Sequence, residues 1–88
     1  MSDILFAQNA WDDYLTWQSQ DKKTLKKINS LLKEIQRHPF EGEGKPEPLS
    51  GNLTNAWSRR INDKDRLVYR FEEDKVIVLQ CKGHYNDK

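Results

Sequence analysis

The chain has 88 residues, 33% of them charged, and a formal net charge of +1, so it supports one small domain over residues 1–88 and no second core. No apolar run reaches the roughly 20 residues of a membrane helix and the N-terminus is unlike a signal peptide, so we expect a cytoplasmic protein that has no membrane partner. A net charge this small argues against tight unaided binding to nucleic acid, because phosphate neutralisation dominates such binding.

The first residues predict a strand followed by a helix. The apolar segment DILFA, residues 3–7, predicts a short N-terminal strand. A helical pattern begins at about Asn9 and should end near Gln20. Its apolar positions recur at helical spacing: Ala10, Tyr14 and Trp17, with Trp11 and Leu15 broadening the stripe.

A second helix is predicted after Asp21, a good N-cap residue, and Pro39 stops it. Its apolar seam pairs it with the first helix in an antiparallel hairpin: Leu25, Ile28, Leu31, Leu32 and Ile35. The opposite face is basic: Lys23, Lys26, Lys27, Lys33 and Arg37. Charge on an amphipathic helix is ordinarily solvated, and we favour that interpretation over a contact with nucleic acid.

Residues 39–56 hold all three prolines and three of the four glycines, which predicts a long and rigid loop. Three strands follow in sequence: WSRRI (57–61), RLVYRF (66–71) and KVIVLQC (75–81). The last is apolar on both faces, which indicates a position inside the sheet. The predicted fold class is α+β, a mainly antiparallel twisted sheet with an N-terminal strand and a two-helix hairpin packed on one face.

Alternation along RLVYRF assigns a face to each side chain. It sends one set to the core, Leu67, Tyr69 and Phe71, and the other set to the opposite face, Arg66, Val68 and Arg70. The second face is free to carry chemistry.

Cutting RNA without a metal requires a base, a cation that holds the phosphate, and an acid for the leaving oxygen. Glu47 is a candidate base, because it lies between Pro46 and Pro48 and their rings make a stiff mount for a carboxylate. An ordinary exposed loop glutamate is the alternative interpretation.

Arginines supply the candidate cations. Arg66 opens a strand on the face away from the core, and its guanidinium can fork onto a phosphate. Arg59 and Arg60 point to opposite faces of the preceding strand. If NDKD is the whole turn, Arg59 shares the face of Arg66, whereas an odd loop or a bulge selects Arg60. A surface ion pair is the alternative for each of them.

The end of the chain offers the acid. His84 can donate a proton when charged, and Tyr85 can stack on a base or bind the phosphate, although such a terminal pair alone is more often surface decoration. Cys81 and His84 are spaced like half a zinc site. Because only His38 remains as a further ligand of that kind, we favour a buried strand cysteine and predict no metal and no cofactor.

The segments GKPEPL, WSRRI, RLVY and the late HY, in that order and spacing, resemble the YoeB/Txe family of toxins within the RelE/ParE superfamily. The likeness covers nearly the whole chain. It implies a RelE/ParE-like small domain and a ribosome-dependent mRNA endonuclease that cuts mRNA in the decoding site by attack of the 2'-hydroxyl and so inhibits translation. It also implies a YefM-type antitoxin as partner, with operator DNA contacted only through the antitoxin complex.

The resemblance also implies roles by position: Glu47 as general base, Arg66 as transition-state arginine, His84 as general acid, Tyr85 as substrate-contacting tyrosine, and Lys45 as a retained substrate-binding lysine. Two departures are notable. Ser50 replaces the lysine that commonly follows KPEPL in the family, and residues 86–88 extend beyond the His-Tyr pair.

Two other functions remain open at this point. One is a non-nucleolytic, ParE-like inhibitor of DNA gyrase on the same fold, which needs no Glu-Arg-His set. The other is a catalytically inactive regulator that binds only antitoxin and operator, for which Ser50 and the added tail are the hints. Codon preference is open, as is the choice between monomer and homodimer.

Overall fold

The computed structural model describes residues 2–49 and 55–83, which form a five-stranded sheet and two helices. The elements follow in chain order: β1 Asp3–Phe6, α1 Gln8–Gln20, α2 Lys22–Arg37, β2 Glu47–Pro48, β3 Ala56–Arg60, β4 Arg66–Glu72 and β5 Lys75–Gln80. The predicted α+β class is therefore confirmed. Ser50, His84, Tyr85 and residues 86–88 lie outside the described residues.

The helices form the predicted hairpin, and Asp21 is the single residue that connects them. The Asp21 carboxylate accepts hydrogen bonds from the backbone N–H groups of Lys23 and Thr24, at 3.1 and 3.2 Å, and caps α2. The Thr24 hydroxyl also donates to it at 2.8 Å, and this bond is the main reason why the pKa of Asp21 is lowered. The apolar seam of α2 is buried, as predicted, at Ile28, Leu31, Leu32 and Ile35.

Helix α1 differs from its prediction at two positions. Ala10 and Trp17 are buried, but Trp11 and Leu15 keep 42% and 43% of their surface exposed, so the prediction that they broaden the buried stripe is wrong. The physical reason is that α1 contacts the sheet along a narrow stripe only. The Trp11 ring instead stacks on the ring of Tyr14, with centroids 6.0 Å apart.

The sheet has the order β1-β5-β4-β3-β2. Strand β1 pairs parallel to β5, and every other pair is antiparallel. Strand β5 is flanked by β1 and β4, which confirms the interior position predicted for it. Strand β2 was not predicted, because it has only two residues and one of them is a proline, so no alternating pattern can be recognised.

The core lies between the sheet and the helical hairpin. Leu67 and Tyr69 of β4 and Val76 and Val78 of β5 are fully buried there, against the seam of α2. This confirms the alternation predicted along β4. Val68 points to the opposite face and is nevertheless buried.

Within the described segments, neither helix has the length and apolar character needed to cross a lipid bilayer.

Gly44 marks a close approach between the loop and β3. Its φ is +87°, its carbonyl accepts the backbone N–H of Arg60 at 2.7 Å, and a Cβ built there would lie 3.1 Å from Cβ of Arg59 and from Cδ2 of Leu31. A side chain would therefore meet both the left-handed backbone penalty and a crowded neighbour.

We predict that Gly44→Ala lowers the free energy of unfolding by about 2–5 kcal/mol, the sum of left-handed backbone strain and overpacking. Gly83→Ala is the matched control, because its φ is +88° and, among the described residues other than its chain neighbours, no heavy atom lies within 4 Å of a built Cβ. It should cost only about 1–2 kcal/mol. Urea unfolding measures both variants, and equal losses would contradict the close packing of Gly44.

Candidate active site on the open sheet face

The sheet face turned away from the helices carries the candidate chemistry, and we call it the open face. Cross-strand pairing shows which residues share it: Arg60 lies opposite Arg66, Glu47 lies opposite Ser58, and Arg70 lies opposite Ala56. Directly paired residues, and those two positions along a strand, point to the same side. The open face therefore brings Glu47, Arg60, Arg66 and Arg70 together.

The loop between β3 and β4 decides which arginine accompanies Arg66. The backbone N–H of Ile61 donates to the carbonyl of Asp65 at 3.0 Å, so these two residues still pair and three residues remain in the turn. Asn62 stabilises that turn by accepting from the backbone N–H groups of Lys64 and Asp65 at 2.8 and 2.7 Å. NDKD is not the whole turn, and the odd loop selects Arg60.

Arg59 points the other way, into the interior, and is fully buried. Its guanidinium donates to the backbone carbonyls of His38, Glu41 and Glu43 at 2.6, 2.9 and 3.0 Å. The predicted contact of Arg59 with substrate does not fit this position, because its donors are engaged inside the protein. Sequence reasoning missed the role since an arginine is rarely buried.

Arg66 is half-buried at the start of β4. Its Nη1 donates to the carbonyls of Asn62 at 2.7 Å and Asp65 at 3.1 Å, which fixes the guanidinium at the corner of the turn. Its backbone N–H donates to the carbonyl of Gly83 at 2.9 Å. The backbone of Arg66 thus lies next to residue 83.

Glu47 is exposed on β2, the edge strand, and is paired with Ser58. Arg60 is two positions from Ser58 along β3, so Glu47 and Arg60 are diagonal neighbours, about 7–8 Å apart between backbones. Lys45, two residues before Glu47, is exposed and has a φ of +51°, which is unusual for a lysine. Both side chains are accessible, and their predicted roles in catalysis and substrate binding stay predictions.

Arg70 is a further cation on the open face, and sequence reasoning did not include it among the candidate site residues. Its Nη1 lies 3.7 Å from Oε2 of Glu72, whereas its Nε is buried and finds no hydrogen-bond acceptor among the residues that the structure describes. A buried donor in that state is stabilised by any ligand oxygen that reaches it. The alternation from Arg66 through Val68 to Arg70 was the signal that could have found it.

The segment that leads to residue 84 is anchored by side chains. The indole Nε1 of Trp17 donates to the carbonyl of Cys81 at 2.8 Å, and the carboxylate of Asp65 accepts the backbone N–H of Gly83 at 2.7 Å. The described chain therefore ends in a fixed position beside Arg66. His84 and Tyr85 lie outside the described residues, and their roles stay predictions.

Cys81 is buried, as predicted, and its thiol lies 3.6 Å from the carbonyl of Ala10. Burial, with smaller contributions from the charges of Asp13 and Asp65, raises the pKa of the thiol to about 12. The thiol is neutral at physiological pH, so it is a poor nucleophile and a poor metal ligand.

Comparison with known proteins gives one consistent family. Residues 6–85 match the family model described as the YoeB-like toxin of bacterial type II toxin-antitoxin systems. Toxin YoeB of Escherichia coli K12 is 50% identical over 82 residues, which cover 93% of this chain and 98% of that protein.

Solved structures agree. A YoeB/ParE toxin from Agrobacterium tumefaciens superposes with a TM-score of 0.92 at 42% identity, covering 94% of this chain and 99% of that one. A YoeB dimer and a YoeB-YefM complex from Staphylococcus aureus both superpose with a TM-score of 0.89, at 48% and 46% identity. They cover 96% and 97% of this chain, and 98% and 99% of their own.

We predict that Asp65→Ala releases Gly83. Removing a charged acceptor from one backbone N–H should raise the hydrogen-exchange rate of the Gly83 amide about tenfold or more. Asp65→Asn is the matched control, because its amide oxygen can still accept, and its effect should be smaller. Exchange measured by NMR on labelled protein checks both, and an unchanged Gly83 amide in the alanine variant would show that Asp65 is no anchor.

Proposed function

The chain belongs to the YoeB-like toxins of bacterial type II toxin-antitoxin systems, and from that premise we propose that it is a metal-independent mRNA endonuclease that acts in the decoding site of the ribosome and inhibits translation. The observation that supports this most is the open face, where the carboxylate of Glu47 shares one surface with Arg60 and Arg66. A carboxylate beside clustered guanidinium groups supplies two of the three groups that RNA cleavage without a metal requires, the base and the cation.

In the proposed reaction Glu47 is the general base. It removes the proton from the 2'-hydroxyl of the nucleotide on the 5' side of the scissile bond, and that oxygen attacks the phosphorus. The bond between phosphorus and the 5'-oxygen breaks, leaving a 2',3'-cyclic phosphate and a 5'-hydroxyl. His84 supplies the proton for the departing oxygen.

The arginines stabilise the charge that accumulates on the phosphate. Arg60 and Arg66 are directly opposite each other, and like charges in that arrangement destabilise a sheet until an anion lies between them. Hydrogen bonds from Nη1 hold the Arg66 guanidinium before substrate arrives, so little reorganisation is needed in the transition state. Lys45 and Arg60 are the proposed substrate-binding residues.

Anchoring of Gly83 supports the proposed roles of His84 and Tyr85. The carbonyl of Gly83 is 2.9 Å from the backbone nitrogen of Arg66, and His84 is the next residue in the chain. The proposed acid is thus attached one residue from a fixed point beside the proposed transition-state arginine. Tyr85 would contact the substrate by stacking or by a hydrogen bond.

Dependence on the ribosome is supported by charge. A chain with a net charge of +1 cannot hold a polyanion tightly by itself, whereas the ribosome already holds mRNA and can position both reactants. This function places the protein in the cytoplasm, with mRNA and the ribosome as partners.

Partners from the same system follow from the relatives. The S. aureus YoeB-YefM complex supports a YefM-type antitoxin for this chain, and the S. aureus YoeB dimer supports a homodimer. Operator DNA would be contacted only through the antitoxin complex.

The identity of the nucleophile gives the sharpest prediction. On programmed ribosomes, a single 2'-deoxy substitution on the 5' side of the scissile bond should abolish cleavage, because the attacking oxygen is missing, while binding is retained. The same substitution one nucleotide further along is the control and should be cut normally. Efficient cutting at the deoxy bond would refute the mechanism, and intact natural mRNA with gyrase trapped on cleaved DNA would favour the ParE-like alternative.

Variants of the open face give a second prediction. Glu47→Gln should lower the cleavage rate about a hundredfold to ten-thousandfold, the span for one acid or base. Arg66→Ala should lower it about a hundredfold to a thousandfold, and Arg66→Lys should restore only part, since an ammonium lacks the planar fork. Arg37→Ala, on the basic face of α2, is the control and should leave the rate unchanged. Single-turnover rates check this, and a fully active Arg66→Ala would exclude the proposed role.

A further inference from the structure

The buried side chains of Arg59 and Tyr69 bind the loop that leads to Glu47 on the open face. We infer that these two residues are positioning residues, which hold Glu47 in place through the loop of residues 38–44. The inference rests on the proposed function of Glu47 as general base. It assigns to Arg59 a task different from substrate binding.

The two side chains together bind four backbone carbonyls of one loop. The Arg59 guanidinium takes those of His38, Glu41 and Glu43. The Tyr69 hydroxyl accepts from Nε of Arg59 at 3.2 Å and donates to the carbonyl of Pro39 at 2.6 Å. The loop is therefore folded around one guanidinium, with the tyrosine closing the remaining side.

The cost of leaving a buried charged donor unpaired makes this arrangement rigid. A buried guanidinium is costly unless its donors are satisfied, so releasing one carbonyl leaves a charged N–H without a partner. Burial raises the pKa of Tyr69, and its hydroxyl remains protonated and able to donate at neutral pH. Opening the loop would thus break several strong bonds at once.

Because the loop leads directly into β2, fixing the loop also restricts the position of Glu47. Gly44 follows the clamped carbonyls directly, and its own carbonyl accepts the backbone N–H of Arg60 at 2.7 Å. Strand β2 has only two residues. Directly after its C-terminal end, the backbone N–H of Leu49 donates a hydrogen bond to the carbonyl of Ala56 at 2.8 Å. A strand this short does not define its own register. The loop segment that leads into β2, which Arg59 holds, therefore decides where Glu47 lies.

Tyr69→Phe is the sharpest variant, because it removes one hydroxyl and keeps the buried ring. Arg59→Lys is less informative, since an ammonium buried at that site could unfold the chain. Tyr14→Phe is the matched control: its hydroxyl donates to Asn29 at 2.7 Å in the helical hairpin, away from the loop.

The first readout is cleavage on programmed ribosomes in two backgrounds. Tyr69→Phe should lower kcat about tenfold or more while KM changes little, because a displaced base affects the chemical step. In the Glu47→Ala background it should have no further effect, since it acts through Glu47. Tyr14→Phe should be silent in both backgrounds. An equal loss of kcat in both backgrounds, or no loss in either, would overturn the inference.

The second readout needs no cleavage. In Tyr69→Phe the amides of Arg60 and Leu49 should exchange hydrogen about tenfold faster, whereas the Asp21 amide, bonded to the carbonyl of Trp17 at 2.9 Å, should not change. Unchanged exchange at Arg60 and Leu49 would overturn the inference. If the parent chain cut no mRNA, the proposed function would fail, and faster exchange would still support the holding of the Glu47 segment.

Discussion

The guanidinium of Arg59, buried among backbone carbonyls, organises the part of the molecule that the apolar core does not reach. Residues 41–48, EGEGKPEP, contain no large apolar side chain and cannot bury enough surface to order themselves. Hydrogen bonds from Arg59 and Tyr69 replace that missing apolar contact. Arg59 belongs to β3, and β3 also pairs with Glu47. The hydrogen bonds of Arg59 therefore fix the position of the loop relative to the strand that holds Glu47.

Neighbouring arginines on β3 therefore have opposite tasks. Arg59 points inward and holds the loop, while Arg60 points outward beside Arg66 on the proposed catalytic face. The period of two along a strand allows one short segment to combine a structural cation with a substrate-facing one. The overall charge of +1 hides this local concentration, since acidic residues elsewhere balance it.

Much of the fold could be predicted from the sequence, because apolar side chains recur at a characteristic spacing along helices and long strands. The seam of α2 and the alternation of β4 were visible in that way, and the cap at Asp21 was visible from its residue type. Trp11 and Leu15 were misassigned since apolar character alone does not say how wide a helix contact is. Strand β2 was missed because two residues, one of them a proline, show no periodic pattern.

The candidate site was harder to predict, because its composition depends on one backbone hydrogen bond. The pair Ile61 and Asp65 makes the β3-β4 turn odd, and this places Arg60 rather than Arg59 beside Arg66. The sequence left both arginines open, and no local pattern could choose between them. Buried arginine is rare enough that its interior role required the structure.

The most direct test of the account is a structure of this chain on a ribosome whose decoding site holds mRNA with a 2'-deoxy nucleotide at the scissile position. The proposed mechanism predicts the scissile phosphate within hydrogen-bonding distance, about 3 Å, of Arg60 or Arg66, with Glu47 facing the 2' carbon on the same side of the sheet. An mRNA bound against the basic face of α2, with the open face turned away from it, would contradict the account.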